Sequence, residues 1–144
     1  MLFSLKGKKV VVTGGNSGIG ESIAELFQAQ GAEVHVIDLS TPRQDANPKI
    51  NYHQADITQF EIVEQIATRI SPVDILINNA GIIKRTPIIE MEVEDFTAVI
   101  TVDLISPFIV SKTVVKGMIQ RGGGKIINIC SMMSELGRDS VSAY

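Results

Sequence analysis

The stretch Lys8–Gly20, KKVVVTGGNSGIG, decides the fold. Lys8–Thr13 is a short β-branched run bounded by glycine and reads as a buried strand. Gly18–Gln30 then carries Ile19, Ile23, Leu26 and Phe27 on one face of a helix, and Gly31 follows as its stop. Outward from this unit the period keeps alternating. Glu33–Asp38 reads as a second strand, and Thr41–Pro48 as a polar turn with two prolines. Ile50–Ala55 reads as a third strand. Phe60–Ile70 reads as a helix with Ile62, Val63, Ile66, Ala67 and Ile70 on one side. Asp74–Asn78 is a fourth strand. Glu92–Gln120 predicts one long helix, apolar nearly all round and kinked at Pro107. Gly122–Gly124 ends it, and Lys125–Ile129 is a fifth strand. Near-continuous apolar strands alternating with helices predict an α/β fold with a doubly wound parallel sheet. Right-handed crossovers give strand order 3-2-1-4-5, with a ligand crevice beyond the carboxyl ends of strands 1 and 4.

Composition narrows the classes. The chain has 144 residues, 44% of them hydrophobic and 20% charged, with a net charge of −3. That excludes disorder as the main state and fits one domain. No basic patch points to nucleic acid. No run of 18 apolar residues predicts a membrane span. The N-terminus has no signal-type apolar core ahead of its lysines. One cysteine, Cys130, cannot form an internal disulfide, so a reducing cytoplasm is expected.

The turn Thr13-Gly14-Gly15-Asn16-Ser17-Gly18-Ile19-Gly20 sits where a strand enters a helix. A pyrophosphate needs close backbone approach and free N–H donors, and glycines at a helix N-terminus supply both. A merely tight turn is the alternative. Asp38 ends strand 2, 18 residues past Gly20, where an acid can meet the two ribose hydroxyls of a dinucleotide. A carboxylate there repels a 2′-phosphate, and Gly15, Asn16 and Ser17 bring no cation, so NAD is favoured over NADP. A capping or solvated Asp is the other reading.

The spacing Thr13-Gly14-x-x-x-Gly18-x-Gly20 resembles the glycine motif of the short-chain dehydrogenase/reductase family. Three further motifs follow in the family's order. Asp56-Ile57 resembles the pair that meets the adenine ring. Asn78-Asn79-Ala80-Gly81 resembles the family's NNAG. Ser131 and Tyr144, 13 residues apart, resemble its catalytic Ser–Tyr pair. Residues 78–88 (NNAGIIKRTPI) and 124–138 (GKIINICSMMSELGR) are similar to the branch acting on gluconate and 2-dehydro-3-deoxygluconate.

The resemblance implies a Rossmann domain over residues 1–144, binding NAD through Gly14, Asn16, Ser17, Gly18, Ile19, Gly20, Asp38, Asp56, Ile57, Asn79, Ala80 and Gly81. It implies hydride transfer from a secondary alcohol of a sugar acid. Tyr144 is then the base, Ser131 the group holding the substrate oxygen, and Arg85 a partner for the substrate carboxylate, with a solvated loop Arg as the other reading. Asp103 stands where the family usually has Asn, a residue acting mainly through its backbone carbonyl. The family's Tyr-x-x-x-Lys pattern places its Lys four residues past Tyr144. The reading therefore expects a fold truncated after strand 5, with little activity in these 144 residues alone. A non-catalytic dinucleotide-binding fragment is the alternative. No metal is expected, and a dimer or tetramer is. His35 and His53 are expected on opposite sides of the sheet edge, structural and without a carboxylate partner. Cys130 reads as a small buried hydrophobe, and Met132 and Met133 as core or pocket lining.

Overall fold

Val10 and Val12 on the first strand face one way and Val11 the other, and all three are buried. A strand can be apolar at every position only if both faces of its sheet are covered. The computed structural model describes residues 4–144. Its elements are β1 (Lys9–Thr13), α1 (Gly18–Ala29), β2 (Glu33–Asp38), β3 (Asn51–Gln54), α2 (Phe60–Ile70) and β4 (Ile75–Asn78). They continue as α3 (Val93–Ile100), α4 (Ser106–Gln120) and β5 (Lys125–Asn128). The sheet is parallel in order β3-β2-β1-β4-β5, as the alternation predicts. The fold is Rossmann-like. On one face Val10, Val12, Val34, Val36 and Ile77 pack with Ala24 of α1. On the other, Val11, Ile37 and Leu76 pack with Val63, Ile66 and Ile70 of α2 and with Val110, Val114 and Met118 of α4.

The helices depart from expectation in two places. α1 does not bury the stripe of all four apolar residues: Ile19 is 66% and Leu26 61% exposed. Its buried residues are Gly20 and Ala24, with Ile23 and Phe27 partly covered. Small residues bring the helix close to the sheet, and that approach, rather than the apolar spacing, sets its rotation.

The long helix is not a single rod kinked at Pro107. Residues Thr101–Ile105 form a π-helical turn between α3 and α4. A proline in a continuous α-helix removes one N–H and crowds the carbonyl four residues back. Here Pro107 lies in the first turn of α4. The distortion falls before it: the Ser106 N–H reaches the Thr101 carbonyl, and the Ser106 hydroxyl donates to the same oxygen at 2.8 Å.

This stretch, Val93–Gln120, is 28 residues long with a mean hydropathy of 1.7 in its most apolar window. By length and composition alone it meets the criterion for a membrane span, which the sequence reading had not anticipated. One face of α4 is nevertheless the outer layer over α2 and β4. Along the stretch Phe96, Leu104, Ile105 and Phe108 are exposed, while Val102 and Ile109 are half-buried. β5 is an edge strand paired only with β4, and all four of its residues are exposed.

The histidines also differ from expectation. Glu33, His35 and Ile37 share one face of β2, and His53 lies opposite Ile37 on β3. Parallel register therefore puts both rings on the same side. His35 Nδ1 and His53 Nε2 are 3.0 Å apart, and His35 Nε2 is 2.9 Å from Glu33 Oε1. The centroids are 5.3 Å apart with the planes only 19° from parallel. That separation matches two rings joined edge to edge through one hydrogen bond, not a face-to-face stack. The pair holds one proton between its facing nitrogens, and two cationic rings at this distance would repel.

Burial holds the His53 pKa below its usual value, helped by His35 and by Arg69. The surrounding charges are Glu33, Lys9 and Arg69. The unfolded chain therefore takes up this proton first. His53's contribution to stability is complete above about pH 6.5 and is lost as the pH falls. The urea midpoint is expected to drop between pH 7 and 5.5, with a slope from this group of no more than about 1.4 kcal/mol per pH unit. His53→Gln should flatten that segment. Glu33 is held low by its His35 hydrogen bond and Asp74 by the Lys9 N–H, so both add a further loss only in more acidic solution.

Candidate functional site

Parallel pairing of β1 with β4 brings the turn after each strand to the same edge of the sheet. The Thr13 hydroxyl accepts the Asn79 and Ala80 N–H groups, both at 3.1 Å. The Asn79 side-chain NH₂ donates back to the carbonyls of Thr13 at 3.1 Å and Gly14 at 2.9 Å. The two turns are thus latched. A Cβ on Gly20 would fall on the Gly14 carbonyl and on Asn79 Nδ2, so only glycine lets α1 start this close. Gly18 has φ +56° and nothing within 4 Å of where a Cβ would stand. Ser17 precedes the helix in extended conformation, and its side chain makes no capping bond. The loop is therefore open above, with its hydroxyl and helix N-terminus unused.

Asp38 is anchored beside it. Its Oδ2 accepts the Asn16 N–H at 3.0 Å, and its Oδ1 accepts the Ser40 N–H at 2.9 Å and the Ser40 hydroxyl at 2.8 Å. The Asn16 side chain is fixed by the Ser40 carbonyl at 2.6 Å, which leaves its buried Oδ1 unpartnered. The sequence reading missed Arg43. It lies across the turn and pairs with Glu21 at 3.1 Å and Asp45 at 3.1 Å. The tertiary contact to α1 that places it has no local sequence signal.

Asp56 and Ile57 follow β3. Asp56 accepts the backbone N–H and hydroxyl of Thr58, both at 2.8 Å. Ile57 is buried in the core, so its side chain faces inward. Asp56 lines a second cavity of about 550 Å³ with Thr97, Thr101 and Val102.

A cavity of about 1100 Å³ opens beyond β4 and β5. Asn79, Ala80, Gly81, Arg85, Asp103, Ser131 and Tyr144 all line it, together with Ile19. The π-helical turn presents Asp103, whose Oδ1 accepts the Ile82 N–H at 2.8 Å. Burial raises the Asp103 pKa, and that hydrogen bond partly offsets the effect. Ser131 ends the extended run after β5, and its oxygen accepts the Met133 N–H at 3.2 Å. Its own proton stays available to donate. Thr86 bridges to Val141, and its N–H donates to the Ser140 carbonyl at 2.9 Å, which brings the Arg85 loop to the Tyr144 segment. Among the described residues Lys84 pairs with Asp95 at 3.1 Å, while Arg85 makes no ion pair.

Cys130 is exposed and lines this cavity, contrary to the expected burial. Strand β5 has no cover to bury it. Met132 also lines the cavity and is 67% exposed. Two residues absent from the sequence reading, Ser111 and Asn128, contact the Asn78 side chain here. Among the described residues no three His, Cys, Asp or Glu side chains form a group able to hold a metal.

The family model for short chain dehydrogenases matches residues 8–144. The chain belongs to the short-chain dehydrogenase family. A 2-dehydro-3-deoxy-D-gluconate 5-dehydrogenase of Formosa agariphila is 47% identical, covering 99% of this chain and 59% of its own length. A 5-keto-D-gluconate 5-reductase of Escherichia coli is 39% identical, covering 99% of this chain and 61% of its own. The chain thus spans about three-fifths of the length of the curated relatives it matches. Among solved structures, a Beutenbergia cavernae protein described as an NAD(P)-dependent gluconate 5-dehydrogenase, with NADP bound at low occupancy, superposes with a TM-score of 0.90. It is 32% identical, and the match covers 98% of this chain and 61% of that one.

In this short-chain dehydrogenase chain the latch between the turns makes Gly20 a packing constraint. Gly20→Ala should cost roughly 1–3 kcal/mol in urea denaturation, the usual range for overpacking. Gly123→Ala, with nothing within 4 Å of the added methyl, serves as the control and should cost far less.

Proposed function

We propose that the chain is the dinucleotide-binding part of an NAD-dependent dehydrogenase acting on a secondary alcohol of a sugar acid, gluconate at its 5-position or a 3-deoxy-ketogluconate. The observation that carries this reading is the single cavity lined by the glycine-loop helix, the Asn79–Gly81 turn, Ser131, Tyr144 and Arg85. The names of the relatives support the substrate class.

The residues fit a dinucleotide. The open loop at Gly18, with the unused Ser17 hydroxyl and the α1 N-terminus, suits a pyrophosphate. Gly14, Asn16, Ile19 and Gly20 shape that loop, and Asp56 and Ile57 supply the adenine side. Asn79, Ala80 and Gly81 support the nicotinamide side. A bound nicotinamide would supply the hydride acceptor.

The protein's own part is positional and acid–base. Ser131 donates its hydroxyl proton to the substrate oxygen. Tyr144 takes the proton of the reacting alcohol. Asp103 holds the Gly81–Ile82 turn through its carboxylate and leaves its backbone carbonyl for a water. Arg85, free of ion pairs among the described residues, pairs with the substrate carboxylate in a forked geometry.

Cofactor preference follows from Asp38. Its carboxylate is fixed by three donors on the ribose side of the loop, and Arg43 is committed to Glu21 and Asp45. NAD should therefore bind more tightly than NADP. Asp38→Ala combined with Leu39→Arg, at a position 69% exposed, should invert the order. Calorimetric titration of both dinucleotides checks this, and tighter NADP binding by the unaltered protein contradicts it. Arg85→Ala should raise KM for the sugar acid about tenfold or more while leaving dinucleotide affinity unchanged.

We infer further that the working form is a cytoplasmic dimer or tetramer. Phe96, Leu104, Ile105 and Phe108 lie exposed along the α3–α4 stretch. Surfaces of this kind favour association. Sedimentation at low protein concentration should show an oligomer that Phe108→Glu weakens. A monodisperse monomer before substitution refutes the inference.

A further inference from the structure

We propose that Asn128 and Ser111 are positioning residues that hold the exit of β5, and with it the Ser131 hydroxyl, through the carboxamide of Asn78. The proposal rests on the role given above to Ser131, but the fixation it describes does not.

The end of β5 is held to β4 and α4 by polar contacts. Its last rung places Asn128 directly opposite Asn78. Paired residues of parallel strands point to the same face, and on this face α4 carries Ser111. The Asn78 NH₂ has two hydrogens and gives one to each neighbour: Asn128 Oδ1 at 2.8 Å and Ser111 Oγ at 3.0 Å. Asn78 is 4% exposed, and its own Oδ1 is buried without a partner. Those two donated bonds alone orient the carboxamide. The main chain closes the same corner, because the Ile129 N–H donates to the Asn78 carbonyl at 2.9 Å.

Adjacent carboxamides thus do opposite jobs. Asn79 grips the end of β1 and the glycine loop, while Asn78 grips α4 and the end of β5. Ser131 lies three residues past Asn128, so its place relative to the loop is set through this pair. Removing the Asn128 acceptor leaves a buried N–H without a partner, which favours local opening of the β5 exit.

The test is amide hydrogen exchange on the full chain. Two amides report the corner: Ile129, bonded to Asn78, and Met133, bonded to the Ser131 oxygen. Asn128→Leu removes the acceptor at similar volume, and Asn128→Asp keeps an acceptor at an exposed position that tolerates charge. Asn128→Leu should speed exchange at Ile129 and Met133 about tenfold or more, while Val11 and Val36 stay within about twofold. Asn128→Asp should restore slow exchange. Ser111→Ala is the milder variant should Asn128→Leu fold poorly, and it should speed the same two amides. NADH affinity should stay within about threefold throughout, because the glycine loop keeps its Asn79 latch. Unchanged exchange at Ile129 and Met133, an equal rise at Val11 and Val36, or an Asp variant as loose as the Leu variant would each overturn the proposal. Failure of the unaltered chain to bind NADH would count against the dinucleotide reading instead, leaving the exchange pattern to decide this one.

Discussion

One hydrogen-bonded junction governs the rest of the structure: the Thr13 hydroxyl accepts two backbone N–H groups of the β4 turn, and the Asn79 side chain returns two donors to the β1 turn. Past the strand ends the β1 turn keeps one ladder bond, from the Gly14 N–H to the Ile37 carbonyl at 2.8 Å. The junction pairs backbone groups of the two turns with each other where the winding reverses. It also imposes a limit. With Asn79 and the Gly14 carbonyl fixed there, the first turn of α1 must approach within glycine distance, and the helix must pack through Gly20 and Ala24. The exposure of Ile19 follows, and Ile19 is thereby left on the rim of the large cavity.

The charges around the junction have a simple logic. The loop offers N–H groups and a helix N-terminus, while Asp38, eighteen residues past Gly20, is pinned by Asn16 and Ser40. An anion-accepting loop thus lies next to a fixed carboxylate, the arrangement on which the proposed preference for a dinucleotide with a free ribose hydroxyl pair rests. Across the cavity the balance reverses. Asp103 is partly buried, with its carboxyl pushed up by desolvation, and Arg85 projects without an ion pair among the described residues. The two regions differ in charge, which accords with a dinucleotide on one side and a small acid on the other.

The fold was legible in the sequence wherever one segment carries its own signal. β1 and β2 need apolar residues on both faces, and α2 carries a clean apolar side over Phe60–Ile70. Gly31 ends the first helical stretch with φ +92°, as expected of a stop. The glycine loop, the Asn78–Gly81 turn and Ser131 could be placed because each lies at the end of a predictable strand. What was not legible depends on register and approach between segments. The His35–His53 contact exists because β3 pairs with β2 at one particular offset. The Arg43–Glu21 pair and the Asn78–Ser111–Asn128 triangle join segments distant in sequence. The π-helical turn at Thr101–Ile105 answers a backbone constraint from Pro107 that apolar periodicity does not register.

On the proposed function, the junction of the two turns, with Asp38 beside it, forms a dinucleotide cradle. The most direct measurement is a backbone NMR titration with ADP-ribose, which carries the adenosine, pyrophosphate and second ribose without the reacting ring. Saturable shifts are expected, confined to Gly14–Gly20, Asp38–Ser40, Asp56–Thr58 and Asn79–Gly81, with the Glu33, His35 and His53 edge unmoved. Shifts absent from the glycine loop, or centred elsewhere on the sheet, would contradict it.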